Sequence, residues 1–175
     1  MILGSLRLKL ISKWIDRLEI TDKLKYQYEF KLLYRGSRDG ITNKKFHENC
    51  NDKPRTVTVV KVRGSNEILG GNDPIGWKSD NSWNETRDSF IFSFKNNIKN
   101  DRIEDLVLSR VMDRSKATYN GYFYGPSFGE SDLYIWKPYL LSYHNYCKSQ
   151  SYEKPIRTTE GWFYIDECEI FQVLL

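Results

Sequence analysis

The sequence predicts a mainly β (α+β) domain, a two-sheet antiparallel β-sandwich with a few short peripheral helices. Three observations predict it. Apolar and aromatic residues recur with period two in several short runs. Clusters of Gly, Asn, Asp and Ser separate those runs at short intervals. Helical periodicity is confined to the N-terminal part of the chain.

Residues 5–19 read as an amphipathic helix, with Ile11, Trp14, Ile15 and Leu18 on one face and Lys13, Asp16 and Arg17 on the other. The period then changes. Leu24, Tyr26, Tyr28, Phe30, Leu32 and Tyr34 alternate with polar residues, which predicts a half-buried strand or an extended chain leading into one. Arg35 to Gly40 contains two glycines and an Asp-Gly pair and reads as a turn. Thr42 is placed to cap a short helix carrying Phe46 and Cys50. Residues 56–62 are rich in β-branched side chains and predict a central strand, paired through a turn at 63–66 with residues 67–69 and closed by Gly70-Gly71. Residues 72–88 read as a polar loop presenting Trp77 and Trp83.

Further strands are predicted at 89–94, with Phe90, Phe92 and Phe94 on one face, and at 106–111, 117–119 and 133–136. Residues 120–131 read as a tightly packed aromatic and Gly-rich loop, and 137–155 as a long Tyr-rich connection. Strands at 162–165 and 169–175 close the chain.

Composition narrows the function classes. The net charge of +4 comes from 27 basic and 23 acidic residues mixed along the chain, without the one-sided excess of a nucleic-acid binder. The early apolar run is broken by Arg7 and Lys9, and no later run is long enough to insert into a membrane. The three cysteines, Cys50, Cys147 and Cys168, are far apart and form no CxxC pair, which argues against a disulfide framework or a zinc site. Reduced thiols in the cytosol or nucleus are the simplest reading. No metal and no cofactor are expected.

Catalytic motifs are missing as well. The two histidines, His47 and His144, lie in polar surroundings, and there is no GxSxG or HExxH. The alternative to a binding role is a thiol-based enzyme using Cys147, with His144 nearby in sequence and Lys148 adjacent. The glycine-rich stretches lack the Gly-Lys-Ser/Thr of a phosphate-binding loop and read as turns.

Five segments, taken in order, resemble the TLDc domain family. Phe30 to Gly40 resembles its opening, Glu67 to Gly71 its hairpin, and Ser89 to Phe94 its aromatic strand. Gly125-Pro126-Ser127-Phe128-Gly129 with Asp132 to Ile135 resembles its Gly-rich loop and following strand. Phe163, Ile165, Glu169, Ile170 and Phe171 resemble its closing pattern. The wording is most similar to fungal members with a BTB-type domain upstream. On that reading 1–22 is an N-terminal helical segment, the tail of an upstream region and an appendage to the core, and 23–175 is the TLDc-like domain. The resemblance implies a β-sandwich, a protein partner in the vacuolar-type proton ATPase, a part in oxidative-stress resistance, and no catalytic mechanism. It places the protein in the cytoplasm, peripheral to vacuole or lysosome-like membranes through its partner, and leaves the oligomeric state open.

Loops 35–42, 70–77 and 125–132 are expected to share one end of the sandwich. Binding is expected of Arg35, Ser37, Arg38, Asp39, Trp77, Ser127 and Asp132. Turn-shaping or family-motif roles are expected of Gly36, Gly40, Gly70, Gly71, Gly125, Phe128, Gly129, Cys147, Glu169 and Phe171. Glu169, on a strand between apolar residues, is expected either to point outward or to be buried against Arg35 or Arg157.

Overall fold

A computed structural model of the chain describes residues 1–97, 99–139 and 142–175. Two six-stranded antiparallel sheets pack face to face. With strands numbered along the chain, the first sheet runs β1 (Glu29–Arg35), β12 (Ile165–Leu174), β2 (Thr56–Val62), β3 (Glu67–Asp73), β5 (Phe90–Asn97), β6 (Arg102–Arg110). The second runs β11 (Gly161–Phe163), β10 (Ser142–Cys147), β9 (Leu133–Tyr139), β8 (Ser127–Phe128), β7 (Thr118–Tyr119), β4 (Trp83–Asn84). The helices are α1 (Ser5–Ile15), α2 (Gly36–Asp39) and α3 (Asn43–Cys50).

The central strands of the first sheet are buried on both faces, and β2 shows why its sequence is nearly all β-branched. Val60 and Val62 join the inner core with Leu69, Ile91, Phe128, Ile135 and Ile170. Val57 and Val59, one residue out of phase, join an outer core with Phe90, Phe92, Phe94 and Phe171. Helix α1 closes that outer face with Leu10, Ile11 and Trp14. The Trp14 ring lies 5.3 Å from Phe92 and 6.0 Å from Phe90. Each such side chain removed from water contributes about 1.5–3 kcal/mol. Arg7 is buried at one end of the helix, donating to Asn96 Oδ1 and pairing with Asp101. The expectation that residues 1–22 are an appendage is therefore corrected, because the outer core is incomplete without Leu3, Ile11 and Trp14.

Other differences have local causes. Of the two readings of 24–34, the structure takes the second, with the strand beginning at Glu29 and the Tyr28 hydroxyl donating to Asp16 Oδ1. Gly70 and Gly71 do not close a hairpin. They sit in mid-strand, opposite Val59 and Thr58 on β2. A Cβ on Gly70 would fall 2.4 Å from the Thr58 carbonyl oxygen, and one on Gly71 2.6 Å from the Phe128 ring of the opposing sheet. Gly71 lets the two sheets approach, and Gly70 leaves room for the Phe92 ring of the neighbouring strand.

The expected 137–155 connection contains the end of β9 and all of β10. Asn145 hides the strand from a hydropathy reading. It is buried at an inward position, accepts from the Trp136 N–H and donates to the Phe163 carbonyl. The chain at 162–165 splits between sheets, with Phe163 ending β11 and Ile165 opening β12.

Candidate functional site

Strand β1 delivers the chain to α2 at Arg35, and Asp39 shapes the turn that follows. Its carboxylate accepts from the Arg35 N–H at 2.9 Å and from two nitrogens of the Arg38 guanidinium, each at 2.7 Å. The Arg38 hydrogen bonds hold the Asp39 carboxyl below the usual carboxylate range. Gly40, at φ +97°, ends the helix, and its carbonyl accepts from the hydroxyl of buried Tyr34. Thr42 then caps α3, its hydroxyl oxygen accepting from the Lys45 N–H.

Helix α3 turns Phe46 and Cys50 inward, where Phe46 meets Trp77 and Trp136 at 5.6 and 6.4 Å. Its other side borders a groove of about 520 Å³ lined by Asn43, Lys44, His47, Glu48, Ser79 and Tyr122, among others. His47 clasps the groove wall. Its Nδ1 lies 2.8 Å from Asn51 Oδ1 and its Nε2 lies 2.8 Å from the Tyr124 carbonyl oxygen. Asn51 also donates to Ser79, and Asn43 donates to the Tyr122 carbonyl.

The opposite rim is an aromatic ledge. Residues 121–124 form a tight turn, with the Tyr124 N–H donating to Gly121 O. Tyr124 points back against Tyr119 and Tyr134. A Cβ on Gly121 would strike those same Tyr119 and Tyr124 rings. The turn throws Tyr122 and Phe123 outward, where they stay 55% and 60% exposed and meet edge to face at 4.8 Å. The sequence reading placed both in a packed loop. Their signal is the run of three consecutive aromatics, Tyr122-Phe123-Tyr124, which no alternation can bury on one face.

Of the residues expected to bind, Ser37 and Arg38 are exposed, and Arg35 and Asp39 are partly buried. Three are corrected. Trp77 is 1% exposed, its ring between Phe46 and Phe128, because Gly76 at φ +111° turns it into the core. Ser127 is buried and donates to the Gly125 carbonyl. Asp132 is buried too, and its carboxylate accepts from the N–H groups of Gln150, Ser151 and Tyr152. Burial raises its pKa, and those backbone bonds oppose the rise. Gly129, at φ +63°, leaves the space Asp132 needs, since a Cβ there would fall 1.9 Å from Asp132 Oδ2.

The segment through α3 meets residues 79 and 122–124, whereas 129–132 packs against 150–152. Gly36 and Gly125 are packing positions. A Cβ on Gly36 would crowd Glu167 and Ile41, and one on Gly125 would strike the Ile135 carbonyl. Phe171 is buried in the outer core against Phe30.

Glu169 takes the buried alternative with Arg35, at 2.8 Å, and also accepts from the Ile2 N–H at 2.7 Å. Arg157 pairs with Glu67 instead. Cys147 and His144 do not form a catalytic pair. They lie three residues apart on one strand and so face opposite sides of the sheet. The Cys147 thiol is buried, burial pushes its pKa up to about 12, and it donates to the Asp132 carbonyl. The His144 ring packs against Trp162.

Fold and site together define a two-sheet β-domain whose buried polar side chains tie loops to sheets and whose exposed aromatic ledge borders a groove beside α3. The TLDc domain family model matches residues 6–174, and the chain belongs to that family. The match takes in α1, in keeping with the burial of Trp14. No curated protein matches the chain. Among the described residues no helix is long and apolar enough to cross a membrane.

Proposed function

We propose that this TLDc domain is a non-catalytic protein-interaction module that binds subunits of the vacuolar-type proton ATPase and contributes to oxidative-stress resistance. It works in the cytoplasm, at vacuole or lysosome-like membranes, through that partner. Membership of the family supports the class. The observation that carries the reading is the Tyr122–Phe123 ledge beside the α3 groove. Exposed, preordered aromatics next to a concave surface have the anatomy of an interface anchor, because they bury large area at little entropic cost. The groove rim mixes Lys44, Glu48 and Asn43, which suits a polar periphery around those anchors. The burial and raised pKa of Cys147 weigh against the thiol-enzyme alternative.

Binding of the purified chain to the isolated soluble sector of a proton ATPase, followed by biolayer interferometry, tests the reading. Saturable binding is the expected result. No binding to the soluble sector or to the assembled enzyme would sink the partner assignment.

A further inference from the structure

Asp73 is the last residue of β3 and is completely buried. Its two carboxylate oxygens accept from the N–H groups of Ile75 and Gly76, each at 3.1 Å. The Thr118 hydroxyl on β7 approaches at 3.5 Å. Asp73 therefore stands where the first sheet, the second sheet and the 74–82 segment meet. Thr118 accepts from Asn84, which also donates to the Gly76 carbonyl and accepts from Asn120. Asn120 accepts from the Lys78 N–H and donates to Ser82. The network fastens residues 74–82 to the sandwich and delivers Trp77 to the core.

Among the described residues no cation is paired with the Asp73 carboxylate. The charged and titratable side chains on the segments around it are Asp52, Lys53 and Arg55 before β2, Lys78 and Asp80 in the segment, Glu85, Arg87 and Asp88 before β5, Lys116 before β7, and Tyr152. Among the described residues none of these pairs with Asp73. Arg55 touches the segment only through its backbone N–H, which donates to the Pro74 carbonyl. Tyr152 spends its hydroxyl on Ser89 and Ala117. Asp132, by contrast, has three consecutive backbone donors. A fully buried carboxylate whose donors are all neutral, the Ile75 and Gly76 N–H groups and the more distant Thr118 hydroxyl, favours its protonated form.

We propose that Asp73 is a proton-operated latch, holding residues 74–82 most firmly when protonated and loosening them when it ionises. Opening the segment lets water reach the carboxylate, so the open state is favoured by ionisation and the closed state by protonation. Burial places the Asp73 pKa at about 6, against 3.8 for the free group. Each unit of that gap is tenfold in the opening equilibrium, so the latch weakens by up to about 100-fold as pH rises through it. Ser79 lines the α3 groove and bonds Asn51, so the loosened segment also softens that groove.

Native-state hydrogen exchange, corrected for intrinsic rates, tests the latch from about pH 4.5 to about pH 7.5. Protection of residues 75–82 is expected to fall at least about tenfold with rising pH. Protection in β5 should stay flat, and protection of the segment in Asp73→Asn should stay flat as well. Constant protection in the unaltered protein, or an equal fall in β5 or in Asp73→Asn, overturns the proposal. The carboxyl carbon of Asp73 in the unaltered protein provides a second reading by nuclear magnetic resonance. A midpoint near pH 6 supports the latch, and one near the ordinary value of 3.8 refutes it.

Discussion

Glu169 and Arg35 stand directly opposite one another on β12 and β1, and the Arg35 Nε donates to Glu169 Oε1 at 2.8 Å. The carboxylate is 1% exposed, and its second oxygen holds the Ile2 N–H. One buried acid thus ties the edge strand β1 and the segment leading into α1 to the neighbouring strand β12. Glu169→Ala leaves the guanidinium and the Ile2 N–H without their acceptor. Arg35 is partly exposed and regains some water, so the loss should be about 2 kcal/mol, lowering the melting temperature by roughly 4–8 °C. A thermal melt checks this, and superimposable melts would refute it.

Gly71 and Phe128 set the distance between the sheets. Gly71→Ala places a methyl group 2.6 Å from the Phe128 ring and should cost about 1–3 kcal/mol through overpacking. Adding Phe128→Leu should restore part of that loss. Denaturant titration of the three proteins reads both effects, and a double variant no better than the single one would contradict the account.

All three cysteines are buried, and burial raises the thiol pKa at each. The native protein should react with an aromatic disulfide reagent at mildly alkaline pH only as fast as it unfolds, and all three thiols should react at once in denaturant. One fast equivalent in the native state would restore Cys147 chemistry.

The Asp73 carboxyl has a pH signature in global stability. Its folded pKa lies above its unfolded value, so its contribution is full below about pH 3.8 and is lost as pH rises through about 6. Asp73→Asn removes the charge and keeps one of the two acceptor oxygens, its amide nitrogen replacing the other. The stability of the variant relative to the parent should therefore rise by about 2 kcal/mol from pH 4 to neutral pH, on top of a pH-independent cost for the lost acceptor. Denaturation of both proteins across that range measures the difference. A difference independent of pH would contradict the assignment.

The fold was legible where burial followed a clean period. Residues 56–62 and the Phe90, Phe92, Phe94 face needed only β-branching and alternation. It was illegible where polar residues face inward, as Asn145 does in β10, or where glycines serve packing in mid-strand, as Gly70 and Gly71 do. Glu169 could be read from sequence as a carboxylate needing a partner, because its strand neighbours are apolar. Trp77 could not be placed, because its burial depends on the positive φ of Gly76 and on a helix distant in sequence. The Tyr122–Phe123 ledge was hidden for a related reason. Which of four neighbouring aromatics point out is decided by the turn that Gly121 permits.

The most direct test of the interaction reading is binding of Tyr122→Ser/Phe123→Ser to the soluble sector of the proton ATPase, measured beside the unaltered chain. Both side chains are exposed, so the melting temperature should hold within about 2 °C while affinity falls at least about tenfold. Unchanged affinity in a folded double variant would contradict the assignment of the ledge as the binding surface.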